Sequence, residues 1–211
     1  MSAKTLPNSQ LYEFGYCVIF AKGVSPTELL DRVAGEKVTP IPLSRAEADA
    51  IQELGEDLEE GDIPGLDLDE LRDSGMLDND RVLVRAGTYG DWAFAVEPMG
   101  LYLSEDEILE SASLGTAALS VTLNYSMASW IAYAEDGEIL SHFDPLFPEQ
   151  DRGTNPQALE ELTGYRAAIE DGDRASSYER VLHHIQRELH CDVPQEADEA
   201  SLPAIRVAEE D

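Results

Sequence analysis

Positive charge is what this 211-residue chain lacks most: 14 lysines and arginines face 44 aspartates and glutamates, for a net charge of −30. Only three of the bases are lysines (Lys4, Lys22 and Lys37). A field of that sign repels nucleic-acid phosphates and anionic lipid, and no basic patch offsets it, so direct contact with DNA, RNA or a membrane is not expected. Cysteine is nearly absent too. Cys17 and Cys191 lie far apart, which excludes a disulfide framework and a zinc motif, and Cys17 sits in an apolar run as a small core residue would. No stretch approaches the roughly 18 apolar residues of a membrane span, and the N-terminus has no basic region followed by an apolar one. The expected compartment is the cytoplasm. Also missing are a Gly-x-x-x-x-Gly-Lys-Ser/Thr loop, a Gly-x-Gly-x-x-Gly helix opening, a Gly-x-Ser-x-Gly elbow and the local pattern of a nucleophilic cysteine. No cofactor and no metal is implied.

What is present is a globular mixture, 43% hydrophobic and 27% charged. The acid is unevenly spread. Glu47–Asp80 holds fourteen acids with Arg72 as its one base, and Glu188–Asp211 holds eight with only Arg206. The first run places Glu53, Glu56, Asp57, Glu59, Glu60, Asp62, Asp67, Asp69 and Glu70 close together, a density that steers basic partners even though single surface ion pairs are weak. A solvated face with an acidic tail, or a halophilic surface, would give the same composition.

Along the chain, residues 12–22 read as a first strand. Ser25-Pro26-Thr27-Glu28 opens a helix with a cap, a proline in the first turn and a capping-box glutamate, and Leu29, Leu30 and Val33 give it an apolar face that Gly35 ends. The Ser-x-x-Glu pattern recurs at Ser44/Glu47, Ser104/Glu107 and Ser176/Glu179. Residues 55–80 are too polar for a core and read as a surface loop with a short helix carrying Leu68 and Leu71. Residues 81–88 and 92–97 form a strand pair across Tyr89-Gly90-Asp91. Residues 118–125, 130–135 and 138–143 continue as a meander whose Asp136-Gly137 is a two-residue hairpin signal. In the first of these, Leu119, Val121, Leu123 and Tyr125 share one side, while Ser120, Thr122 and Asn124 make the other side polar enough to be wet. Leu159, Leu162, Tyr165 and Ile169 line one later helix, and Tyr178, Val181, Leu182, Ile185 and Leu189 a second.

The fold class is therefore α+β: a single antiparallel or mixed sheet, a meander with hairpins, packed by several helices. Residues 1–191 form one domain with an acidic insert at about 56–80, and residues 192–211 form a flexible acidic tail. The segments GVSPTELLDRV, DWAFAVEPMG, ALSVTLNYS and FDPLFPEQDRG, which span most of residues 12–165, resemble an uncharacterised actinobacterial family known as a domain of unknown function. The resemblance implies an α+β fold and an actinobacterial-type origin, and places Trp92, Glu97, Asp144, Pro145 and Phe147 in recurring motifs. It implies no activity.

Three functions fit these residues. The leading expectation is a non-catalytic binding or sequestering protein that engages a basic protein partner, as immunity proteins and antitoxins do, through the acidic run with Trp92 and Trp130 as aromatic contacts. A DNA mimic that blocks a DNA-binding protein is the second. The third is an enzyme. Glu97 follows two small alanines in WAFAVEP, Asp144 also precedes a proline at a strand end, and two such carboxylates suit hydrolysis if they share a pocket. His142 lies two residues before Asp144 on one strand face, and with Glu97 would make a carboxylate-rich metal set. The cluster His183, His184, His190 and Cys191 lacks metal-ligand spacing, and its three histidines belong to a solvated helix face. The sequence leaves oligomeric state open.

Overall fold

The computed structural model describes residues 15–98, 101–124, 128–170 and 176–208. Its elements run β1 (Gly15–Lys22), α1 (Pro26–Ala34), β2 (Ile41–Leu43), α2 (Arg45–Leu54), α3 (Leu68–Asp73), β3 (Arg81–Tyr89), β4 (Trp92–Pro98), α4 (Asp106–Ala112), β5 (Ala117–Asn124), β6 (Ser129–Glu135), β7 (Glu138–Phe143), α5 (Ala158–Thr163), α6 (Arg166–Glu170), α7 (Ser177–Leu189), α8 (Gln195–Glu199) and β8 (Leu202–Ala208). One open eight-stranded sheet organises them, in the order β2-β8-β3-β4-β1-β5-β6-β7. Every neighbouring pair is antiparallel.

Strand alternation sends two different sets of side chains to the two faces. Tyr16, Val18, Phe20, Trp92, Phe94, Val96, Leu119, Val121 and Phe143 enter a bulky core closed by Leu159 of α5, Tyr165 of the α5–α6 link, and Tyr178, Val181, Leu182 and Ile185 of α7. Phe143 stacks on Tyr165 with ring centroids 4.3 Å apart. The opposite face carries Cys17, Ile19 and a run of small residues, Ala21, Ala93, Ala95, Ala118, Ala132 and Ala134. Small side chains let a helix approach closely, and α1 fills that space with Leu29, Leu30 and Val33 while α4 adds Leu109 and Ala112. Both faces are therefore buried. The polar side expected on β5 is not wet, since Ser120 and Thr122 are packed away from solvent.

Local signals hold where chemistry fixes them. Ser25 caps α1 by accepting from the Glu28 N–H, and Gly35 ends it in the left-handed region at φ 70°. Glu28 does not complete a capping box, because its carboxylate pairs with Arg32 at 2.7 Å. Ser44 and Glu47 do make the full box on α2. Ser104 caps nothing: it belongs to a 3-10 turn, Tyr102–Ser104, and the chain enters α4 through Glu105. Ser176 precedes α7 but its hydroxyl engages the Arg180 guanidinium instead of capping. The β6–β7 turn, Asp136 (φ 50°) and Gly137 (φ 82°), has both central residues left-handed, as a two-residue hairpin requires. Tyr89 pairs with Trp92, so the β3–β4 turn shrinks to Gly90-Asp91.

Three expectations are corrected. Residues 159–169 form two short helices, not one, because Gly164 (φ 67°) breaks the chain between α5 and α6, and Leu162 faces solvent at 52% exposure. The acidic insert has a core of its own: Leu58, Leu71, Met76 and Leu77 pack with Ile41, Leu43, Ile51, Leu83 and Ala204 over the β2-β8-β3 end of the sheet. The supposed tail is also structural. Residues 202–208 are β8, inserted between β2 and β3, and α8 precedes it. Residues 209–211, like Tyr125, lie outside the described residues. Among the described residues no helix is long and apolar enough to cross a membrane.

Candidate functional site

Two regions at opposite ends of the sheet carry the acidic insert and the His142–Asp144 pair, with Trp92 and Glu97 on β4 between them. At the β2-β8-β3 end, buried leucines hold the insert down while Glu53, Glu56, Asp57, Glu59, Glu60, Asp62, Asp67, Asp69 and Glu70 are all exposed. Asp67 caps α3 by accepting from the Asp69 and Glu70 N–H groups, and Arg72 stands 3.7 Å from Asp69 in a well-solvated pair. The remaining acids in that group face water. Trp92 does not join them. It is core, 4% exposed, with its indole N–H donated to the Leu189 carbonyl at 2.9 Å.

Glu97 is fully buried and opposes Cys17 on β1. Its Oε1 accepts from the Tyr102 N–H (3.2 Å) and its Oε2 from the Leu103 N–H (2.7 Å), which pins the 3-10 turn to the end of β4. Beside it the Cys17 Sγ lies 3.0 Å from the Thr122 Oγ1, and burial, then the charge of Glu97, pushes the thiol well above its ordinary pKa. That cysteine is a protonated core group, not a nucleophile.

His142 and Asp144 lie elsewhere. Three strands separate β4 from β7, which at about 4.8 Å per strand is on the order of 19 Å across the sheet. Glu97 therefore joins neither a catalytic pair with Asp144 nor a metal set with His142, and no group of three potential metal ligands occurs among the described residues. What the sheet does bring together is His142, Asp144 and Trp130, in a cleft of about 570 Å³ also lined by Ser104, Asp106, Ser129, Phe143, Gln150 and Arg152. Arg152 reaches it through a backbone bridge to His142, with N–H···O distances of 2.8 and 3.0 Å in the two directions. Its Nη2 stands 3.1 Å from His142 Nδ1, and Asp106 Oδ1 lies 3.6 Å from the same nitrogen. Burial, and after it the Arg152 charge, lowers the His142 pKa below its ordinary value. Asp144 Oδ1 accepts from the Leu146 N–H at 2.7 Å, closing an Asx turn.

The α7 histidines behave as a helix surface should. His183 is exposed, His184 meets the Thr163 carbonyl at 2.6 Å, and His190 ends the helix at φ 55°. Sequence reasoning missed a different site. Arg85, 2% exposed inside β3, donates to the Asp198 carboxylate at 2.6 Å and to its backbone carbonyl at 2.7 Å. Arg45 holds the other Asp198 oxygen at 2.8 Å. An arginine inside an apolar strand, VLVRAG, is the one signal that a buried acid had to exist. Asp151 forms another such centre, accepting from Ser141 and Tyr165 hydroxyls, and burial raises its pKa.

No curated protein and no solved structure matches the chain. A family model does, over residues 4–179, so most of α7 and all of α8 and β8 lie past the match while the insert and the cleft lie inside it. The chain belongs to DUF6461, a family of unknown function.

Proposed function

We propose that this protein is a non-catalytic binding module that engages a basic protein partner through the acidic insert at the β2-β8-β3 end of its sheet. One observation carries the reading: the insert is anchored by Leu58, Leu71, Met76 and Leu77, so its exposed acids form a fixed surface and not a loose polyanion. A fixed surface of one sign accelerates encounter with a complementary partner and sets its register, and less ordering entropy is lost on binding. The whole-chain charge of −30 adds long-range attraction that salt screens.

The test separates this face from charge in general. Glu56, Asp57, Glu59, Glu60 and Asp62 are changed to Gln or Asn in one variant, and the exposed Glu107, Glu110, Glu138, Glu149 and Glu161 to Gln in another. Binding of an oligoarginine peptide and of a compact basic protein is measured by calorimetry at low and moderate salt. Neutralising the insert is expected to weaken the basic protein by about tenfold more than neutralising the control positions. Equal losses in the two variants would leave only a diffuse charge effect and end the proposal.

A further inference from the structure

The cleft at the β6–β7 end is separated from the insert by most of the sheet and takes no part in the reading above. Its volume, about 570 Å³, is in the range of small-ligand sites. We propose that it binds a single organic cation: an ammonium or guanidinium group carried on a slim carbon chain.

Four features point there. Asp106 and Asp144 bring two carboxylates to the lining against one guanidinium, Arg152. Burial and then the Arg152 charge lower the His142 pKa against the opposing pull of Asp106, and Nδ1 receives the Arg152 N–H. The lining therefore has an excess of one negative charge, inside a field that already repels anions. Asp144 is pre-aimed, because the Leu146 N–H holds one oxygen and leaves Oδ2 without a partner among the described residues. Trp130 is half-buried and offers a ring against which a cation is attracted by the quadrupole. Finally, Ser129 is 2% exposed, and its Oγ has no hydrogen-bond partner among the described residues. A buried hydroxyl of that kind is destabilising until a donor or acceptor meets it, and an N–H of the ligand would do so.

An anion held by Arg152 is the competing chemistry. Arg152 is already turned onto His142, and an anion would face both carboxylates with no further cation in the lining.

Indole N–H resonances of the full ¹⁵N-labelled chain make the test direct, because the protein has two tryptophans and Trp92, bonded to Leu189, serves as an internal reference. The probes are n-butylammonium, n-butylguanidinium, n-butanol and butyrate. The two cations are expected to shift Trp130 and not Trp92, and Asp144→Asn to weaken them about tenfold or more. Asparagine keeps an Oδ1 for the Leu146 N–H, so that variant retains the turn. Stronger binding of butyrate, equal binding of butanol, a Trp130 signal that no cation moves, or an unchanged affinity in Asp144→Asn would each overturn the proposal. A peptide with one lysine or arginine between glycines distinguishes the sources. If it matches the free cations, the ligand is a protein side chain, and if only the free cations bind, it is a small amine. The insert-neutralised variant is expected to bind the cations undiminished, so this site and the acidic face fail separately.

Discussion

Glu97 and Asp198 are both carboxylates with no solvent exposure, yet they are satisfied in opposite ways. Glu97 accepts from backbone N–H groups five and six residues ahead of it, through a turn that its own strand leads into. Asp198 meets Arg85 and Arg45, which are 113 and 153 residues away in sequence. The first arrangement shapes a loop; the second ties α8 to β3 and α2, just before β8 enters the sheet. When a carboxylate held by neutral amides is replaced, those N–H groups lose their acceptor. One held by a buried guanidinium leaves an uncompensated charge behind, which is the larger penalty.

That contrast gives the largest expected effect. Asp198→Ala strands Arg85 at 2% exposure, and is expected to lower stability by about 3–5 kcal/mol in urea denaturation. Hydrogen exchange should also accelerate in β8, since Asp198 lies just ahead of it. Full protection of β8 in the variant would show that backbone pairing with β2 and β3 holds the strand without the clasp.

Glu97→Gln comes next, at about 2 kcal/mol. The amide keeps one acceptor oxygen and turns its NH₂ toward an N–H that also needs an acceptor, so one of the Tyr102 and Leu103 N–H groups is orphaned. A loss as large as that of Asp198→Ala would erase the distinction between local and long-range satisfaction. Arg45→Ala should be milder still, about 1 kcal/mol, because Arg45 is the partly exposed member and Asp198 keeps Arg85. Were it to match Asp198→Ala, the clasp would have to be redrawn around Arg45.

The same contrast explains what could be read from the residues. Glu97 in WAFAVEP, Ser44 with Glu47, and Asp136-Gly137 are decided within a few positions, whereas Trp92, expected as an aromatic contact for a partner, lies in the core with Phe94 and Val96 because the alternation of β4 sends all three to one face. Arg85 announced a buried partner, but nothing local says which of 44 acids it is. β8 has an apolar pattern of its own in LPAIRVA, and the acids on either side of it masked that pattern because charge was weighed over the whole segment. The insert was misjudged likewise: its four buried apolar residues are spaced irregularly, and only the fold brings them together. Of the candidate site, the residue types His142, Asp144 and Trp130 were legible singly. Their meeting with Arg152 and Asp106 depends on the β7 edge and α4 converging, which is a property of topology.

A third carboxylate sharpens the comparison at its weak end. Asp192 accepts from the Val193 N–H at 2.8 Å and the Gln186 amide at 3.1 Å, but no cation pairs with it among the described residues. Burial therefore prevails and lifts its pKa from 3.8 to about 6. A raised carboxylate pKa means that the folded state holds the proton more tightly than the unfolded one. Stability from this group is then present below about pH 4, declines as pH rises towards about 6, and stays reduced above that. Asp192→Asn keeps the acceptor for Val193 and removes the titration. It should stabilise the protein near neutral pH by about 1 kcal/mol, a figure discounted for partial exposure of the side chain. The gain should vanish as pH falls towards about 4. Asp151, whose pKa is raised in the same direction, is common to both proteins and cancels in the difference. Urea midpoints measured for the pair across this range check the sign: parallel curves would mean that Asp192 is solvated as well as any surface acid, and that two neutral hydrogen bonds suffice where Asp198 has two guanidinium groups.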